Sequence, residues 1–120
     1  MARKRSTAAP PAAAVTPERA ARLHRLLRLL AAGPQKRETL TRRLKLDVRG
    51  FYRDLVVLRE AGIAVSLEKG RYRLDEDADE AIARLPFPDP HLTLGEAIQL
   101  ARGRSKAHRK LKDSIAAIVG

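Results

Sequence analysis

Apolar residues recur at helical spacing in three successive stretches of the chain. The first stripe consists of Leu23, Leu26, Leu27 and Leu30, the second of Leu40 and Leu44, and the third of Phe51, Leu55 and Leu58. Residues three, four and seven positions apart share one face of an α-helix. The pattern therefore predicts three amphipathic helices, over about 17–32, 36–45 and 48–61, each with one face turned toward a core.

The residues at the ends of these stretches are typical of helix boundaries. Thr16, Pro17 and Glu18 combine a capping hydroxyl, a proline at the first helical position and an acid at the positive end of the helix dipole. Asp47 can cap the third helix, because its carboxylate accepts N–H groups of the first turn, and Gly62 can end it in the left-handed conformation. The break between the second and third helices is short, which predicts a helix-turn-helix.

After Gly62 the hydrophobic period changes from 3.6 to 2. Apolar side chains then alternate with polar ones on both sides of Lys69–Gly70, at Ile63, Val65 and Leu67 and again at Tyr72 and Leu74. Such alternation around a turn predicts a β-hairpin with one apolar face and a basic tip. Three helices followed by a hairpin form a winged helix-turn-helix, with the hairpin as the wing.

Two further amphipathic helices are predicted near the C-terminus. Thr93 and Glu96 have the spacing of a capping box, and Ser105 can cap the last helix. The apolar positions are Leu94, Ala97, Ile98 and Ala101 in one helix and Leu111, Ile115, Ile118 and Val119 in the other. Their apolar faces require a cover. They either fold back on the first helix or pair with a second copy of the chain, and we favour a homodimer through residues 93–120.

These elements define the expected organisation. We predict an α+β protein that is mostly α, with a disordered basic arm at 1–15, a winged helix-turn-helix at 16–74, an acidic and proline-rich linker at 75–92 and a helical extension at 93–120. The arm carries Arg3, Lys4 and Arg5 and is either a phosphate-binding arm or a solvated tail.

Positive charge is concentrated in one part of the chain. The net charge is +11, and residues 16–74 contain 15 Lys and Arg against 6 Asp and Glu, whereas residues 75–120 contain 7 against 8. A local excess of this size indicates a polyanionic partner. On a helical wheel, Arg49, Tyr52 and Arg53 lie opposite the apolar stripe of the third helix. Asp54 lies toward the buried side, so we expect it to pair with a basic group or the backbone.

Residues 17–74 resemble the winged helix-turn-helix found at the N-terminus of DeoR-type and WYL-domain transcriptional regulators. The resemblance rests on "LKLDVRGFYRDLVVLREAGIAV" and "GRYRL". Matching residues are Arg49, Tyr52, Arg53, Asp54 and Leu55, while Leu46 stands for a valine and Asp47 for a capping serine. Gly50 departs from the family threonine, so a contact from that threonine is lost here. Because the sequence ends at Gly120, we expect the long ligand-sensing domain of WYL regulators to be absent.

The resemblance implies sequence-specific binding to double-stranded DNA, in transcriptional regulation in a bacterial cytoplasm. We expect the third helix, about 48–61, to enter the major groove and the wing to contact the backbone. The expected DNA-binding residues are Val48, Arg49, Gly50, Tyr52, Arg53, Lys69, Arg71 and Arg73. Gly50 either allows close approach to the duplex or is merely tolerated. Two alternatives stand beside this function: a winged helix that binds proteins, and a nucleic-acid binder without sequence preference.

Other chemistry finds little support in the sequence. Asp75, Asp77 and Asp79 have the spacing of a calcium loop, but the sixth and twelfth positions are Glu80 and Pro86 instead of Gly and Glu. The three histidines have no motif partners, and no phosphate-binding glycine loop occurs. There is no cysteine, which excludes disulfides and thiolate metal sites. We therefore expect no enzymatic activity, no metal and no cofactor.

Overall fold

Six helices and one small antiparallel sheet make up residues 15–88, 92–102 and 106–120, which the computed structural model describes. The elements in chain order are α1 (Pro17–Ala31), β1 (Gln35–Lys36), α2 (Arg37–Leu44), α3 (Val48–Glu60), β2 (Val65–Glu68), β3 (Arg71–Leu74), α4 (Ala78–Ala83), α5 (Leu94–Leu100) and α6 (Lys106–Val119). The expected α+β, mostly helical class is confirmed. The predicted basic arm, apart from Val15, and the predicted cap Ser105 lie outside the described residues.

Helix α1 is the central packing element. Thr16 caps it as predicted, because its Oγ1 accepts a hydrogen bond from the backbone N–H of Arg19 at 3.1 Å. Its buried face carries Ala20, Leu23, Leu26, Leu27 and Leu30. This face packs against α2, α4, α6 and the sheet. One hydrophobic core therefore joins the N-terminal helices to the C-terminal ones.

The sheet has the strand order β1-β3-β2, with β3 in the middle. Strands β2 and β3 form the predicted hairpin, with Val65 opposite Leu74 and Glu68 opposite Arg71. Its two-residue turn has φ values of 54° at Lys69 and 77° at Gly70. Positive φ at both central residues is the type I′ geometry that suits the twist of a hairpin.

The tip of the hairpin, residues 67–71, is exposed to solvent. Tyr72 is buried, but its cross-strand partner Leu67 remains 60% exposed. The alternation of apolar and polar residues predicts that Leu67 lies on the apolar face of the hairpin, and its position opposite the buried Tyr72 agrees with this prediction. It lacks a cover because β2 is an edge strand and Leu67 lies close to the turn.

The C-terminal helices fold back on the rest of the chain. Helix α5 begins with the predicted capping box, in which Thr93 and Glu96 each bond the other's backbone N–H. Helix α6 packs against α1 and α5, and it buries Ile115 and Ile118. The sequence analysis gave this fold-back arrangement as the alternative to dimerisation. A homodimer through residues 93–120 stays a prediction. None of the helices described is both long enough and apolar enough to cross a membrane.

Candidate nucleic-acid interface

The turn between α2 and α3 fixes where α3 begins. Helix α2 ends at Lys45 in the left-handed conformation, with φ 55°. Two residues later, Asp47 caps α3 as predicted, and its Oδ1 accepts a hydrogen bond from the N–H of Gly50 at 2.7 Å. A cap of this kind satisfies an otherwise unpaired N–H group of the first turn. The N-terminal end of α3 is thus held in a defined position after a turn of three residues.

The inner face of α3 is buried against the core. Phe51, Leu55 and Leu58 are each at most 2% exposed. The ring of Phe51 meets that of Tyr72 edge to face, with centroids 5.1 Å apart, a geometry that aromatic pairs prefer. Because Tyr72 lies on β3, this contact connects α3 to the sheet from which the hairpin extends.

Asp54 links α3 to α1 through two arginines. Its carboxylate is fully buried. Arg22 binds it through Nε at 2.7 Å and Nη2 at 3.0 Å, and Arg19 binds it through Nε at 3.1 Å. The hydrogen bond to Asp54 raises the pKa of Arg22 above its ordinary value. The expectation that Asp54 pairs with basic groups is confirmed, and its two partners both lie on α1.

The outer face of α3 is exposed and mixes apolar with cationic side chains. Val48, Tyr52 and Val56 are 46%, 42% and 48% exposed, and Arg49 and Arg53 are also exposed. Together with Asp47, these residues line one shallow depression. Within the described part of the chain, neither arginine has a carboxylate partner. We call Val48, Arg49, Tyr52, Arg53 and Val56 the outer face of α3.

The hydroxyl of Tyr52 is held from two sides. Arg37, the first residue of α2, donates a hydrogen bond from Nη1 to this oxygen at 3.2 Å. Hydrogen bonds from Tyr72 and Arg37 lower the pKa of Tyr52, while burial and the bond to Tyr52 raise the pKa of Tyr72. The Tyr52 ring is therefore held at the N-terminal part of α3 by contacts with α2 and β3.

The basic residues of the hairpin differ in their surroundings. Lys69, at the turn, and Arg71 are exposed. Arg73 is exposed as well, but it forms ion pairs with Glu68 at 3.4 Å and Asp75 at 2.9 Å. Hydrogen bonds from Ser66 and Arg73 in turn lower the pKa of Asp75. A large part of the Arg73 charge is therefore compensated within the hairpin.

Gly50 is buried and does not lie on the outer face of α3 with the other expected residues of this helix. An added Cβ would lie 3.0 Å from Oδ1 of Asp47 and 3.2 Å from Cδ2 of Leu46. The absence of a side chain thus leaves room for the Asp47 cap.

The structure adds two residues that the sequence analysis did not single out. Val56 follows Tyr52 by four positions, so the same wheel that identified Arg49 and Arg53 contained the signal for it. Arg37 gave no such signal, because its contact with Tyr52 joins residues 15 positions apart in the sequence. Of the eight expected site residues, the structure brings Val48, Arg49, Tyr52 and Arg53 together on one surface.

Comparisons with known proteins yield no relative. No family model matches the chain, and searches of curated proteins and of solved structures find no match.

Proposed function

We propose that residues 16–74 form a winged helix-turn-helix that binds double-stranded DNA sequence-specifically in transcriptional regulation, as the resemblance to DeoR-type and WYL-domain regulators implies. The order α1-β1-α2-α3-β2-β3 and the sheet order β1-β3-β2 support this proposal. So does the three-residue turn between α2 and α3. In such a module the second helix of the pair enters the major groove and the hairpin flanks it.

The single observation that carries the proposal is the outer face of α3. Two guanidiniums, neither of them paired with a carboxylate of the described residues, lie beside exposed methyl groups and a phenol on a helix whose opposite side is buried. Arginine binds guanine bidentately at O6 and N7, and it also pairs with phosphates. A helix of 13 residues is about 20 Å long and about 10–12 Å across, which fits the major groove, about 12 Å wide.

Charge alone supports a second candidate, a nucleic-acid binder without sequence preference. The excess of 15 basic over 6 acidic residues in 16–74 would attract any duplex through phosphate contacts. Specific binding differs from this because base-edge contacts distinguish one sequence from another. The fixed position of Tyr52 and the apolar groups beside it favour the specific reading, since neither is needed for attraction to phosphate.

Selection from a pool of random-sequence duplexes near physiological salt tests the proposal. We expect repeated rounds to enrich a common sequence that the protein binds at least a thousandfold more tightly than the starting pool. If the protein instead binds all duplexes equally well, with an affinity that falls steeply as the salt concentration rises, its binding is driven by charge and the proposal is wrong. Failure to retain any duplex even at low salt would support the protein-binding alternative.

The hairpin arginines provide an internal comparison. We expect Arg71→Ala to weaken binding equally for all sequences and to reduce the slope of log K against log salt by about 0.9, the value for one phosphate contact. Arg73→Ala should change the slope less, because Glu68 and Asp75 already compensate its charge. Fluorescence anisotropy titrations at several salt concentrations measure both slopes. Equal slopes for the two variants would contradict this assignment of the hairpin contacts.

A homodimer through residues 93–120 remains part of the proposal. Helix α5 exposes Ile98 by 39% and Leu100 by 51%, and apolar side chains in this position suit a symmetric contact between copies. We expect Leu100→Lys to convert a dimer into a monomer in sedimentation equilibrium, without loss of helical circular dichroism. A wild-type chain that sediments as a monomer at all concentrations would remove dimerisation from the account.

A further inference from the structure

The exposed apolar residues of α3 form a stripe. Val48, Tyr52 and Val56 are spaced by four positions, which places them along one side of the helix, and each is more than 40% exposed. Single exposed apolar residues are common and require no explanation. Three in one line, beside the exposed Arg49 and Arg53, form a patch of the kind that marks an interaction site.

Folding does not account for the two valines. Among the described residues, neither valine belongs to the hydrophobic core or to the side chains packed against it. In addition, β-branched residues are mediocre helix formers, because χ1 is restricted against the preceding turn. An exposed helical position gains more from Ala, Lys or Glu. Val48 and Val56 therefore lower the stability of an isolated α3 slightly, and their apolar branches remain in contact with water unless a partner covers them.

The chemistry of the major groove offers one apolar feature. Each base pair presents hydrogen-bond donors and acceptors there, and thymine alone adds a methyl group, at C5. An isopropyl group neither donates nor accepts a hydrogen bond, so it gains nothing from the polar edges. Contact with the thymine methyl removes apolar surface of both partners from water.

We propose that Val48 and Val56 recognise the C5 methyl groups of two thymines in the major groove, and that the preferred duplex carries A·T pairs at both positions. This inference rests on the proposed function. The two valines are eight positions apart, which corresponds to about 12 Å along the helix axis, the length of three to four base-pair steps at 3.4 Å each. Arg49 and Arg53 flank the stripe, where they contact guanine or phosphate.

The surroundings of the stripe favour DNA over a protein as its cover. Besides Val48, Tyr52 and Val56, the same depression is lined by Asp47 and the two arginines. The two guanidiniums outnumber the single carboxylate of Asp47, so the net charge offered to a partner is positive. A polyanion that also carries methyl groups matches both properties.

Replacement of thymine by uracil tests this inference, because uracil differs from thymine only by the missing methyl. We would measure affinity by anisotropy for the duplex obtained by selection, with deoxyuridine in place of thymidine at one position at a time. Burial of one methyl predicts about a fourfold loss at each of two positions three to four base pairs apart. Val48→Ala should abolish the preference at one of these positions and Val56→Ala at the other.

Val119→Ala is the matched control. Val119 is 42% exposed on α6, so its replacement removes the same atoms from a similar environment, and the preference for thymine should be unchanged. All three substitutions remove an exposed β-branched residue from a helix, and we expect the variants to fold.

The possible outcomes distinguish a failure of this inference from a failure of the proposed DNA-binding function. Specific binding with equal affinity for thymine and uracil duplexes would overturn the inference and leave the regulator proposal in place. A preference for thymine that survives in both α3 variants would assign the methyl contacts to other residues and would overturn it as well. Absence of any duplex binding would overturn the regulator proposal itself, and the inference with it.

Discussion

Asp54→Ala is expected to lower the free energy of unfolding by about 3 kcal/mol, within the range found when one partner of a buried ion pair is removed. The substitution leaves Arg19 and Arg22 without their shared carboxylate. Their side chains are 26% and 27% exposed, so they regain some hydration and the effect falls at the lower end of that range. A cavity beneath α3 adds to the loss. Urea denaturation followed by circular dichroism measures the change.

The reverse variant separates the ion pair from the cavity. Arg22→Ala keeps Asp54 in place and buried but removes the bidentate contact, so it should also be strongly destabilising. Arg25→Ala is the control on the same helix, because Arg25 is exposed, and its effect should stay within about 0.5 kcal/mol. If Asp54→Ala were as stable as Arg25→Ala, the link between α1 and α3 would not hold the helix in position.

Arg49→Ala is expected to weaken binding to the selected duplex by about 1–3 kcal/mol and to relax the preference at one base pair, if its guanidinium is bidentate to a guanine. Arg53→Ala should do the same at a neighbouring position. Neither arginine is paired within the described residues, so both replacements should leave the free energy of unfolding nearly unchanged. Competition titrations against duplexes with single base-pair changes measure affinity and preference together.

Two further variants show whether the effect of Arg49 on sequence preference depends on the shape of its guanidinium group or only on its charge. Arg49→Lys keeps the positive charge but loses the planar fork that binds two acceptors at once. Compared with Arg49→Ala, the lysine variant should therefore bind all sequences more tightly, but it should not regain the preference at that base pair. Arg109→Ala removes the same charge from the exposed surface of α6 and should leave the preference intact. A uniform loss for Arg49→Ala, fully restored by lysine, would reduce this residue to a phosphate contact.

Local signals in the sequence were sufficient to predict most of the elements. The Thr16 cap, the Asp47 cap, the Lys69–Gly70 turn and the capping box of α5 each depend on residues within a few positions of one another, and all four are present in the structure. The buried stripes of α1, α2 and α3 follow from the hydrophobic period alone. Features of this kind can be predicted because their physical cause is contained in one short segment.

Two short elements, β1 and α4, were not predicted. Strand β1 consists of two residues and exists because it pairs with β3, and helix α4 falls in the segment expected to be a linker. A signal for α4 was present, since Asp77 caps it and two acidic residues follow in its first turn. It was overlooked because the acidic and proline-rich composition of residues 75–92 was interpreted as that of a linker. Packing of α4 against α1 and α5 then stabilises a helix too short to form alone.

The candidate site likewise has some features that could be predicted from the sequence and others that could not. The positions of Arg49, Tyr52 and Arg53 on the outer face follow from the 3.6-residue period. The partners of Arg73 and Tyr52 lie on other elements or across the hairpin, and the clamp on Asp54 joins α1 to α3 over more than 30 positions. The sequence alone was therefore sufficient to predict which residues share the outer face of α3, whereas the ion-pair partners of the surrounding charges became known only from the structure.

The most direct test of the central claim, that the outer face of α3 contacts DNA, is a titration of the isotopically labelled chain with the selected duplex, followed by amide NMR shifts. The account predicts the largest changes at Asp47 to Val57 and at the hairpin turn around Lys69, with small changes in α5 and α6. Shifts confined to the C-terminal helices, with those of α3 unmoved, would contradict it.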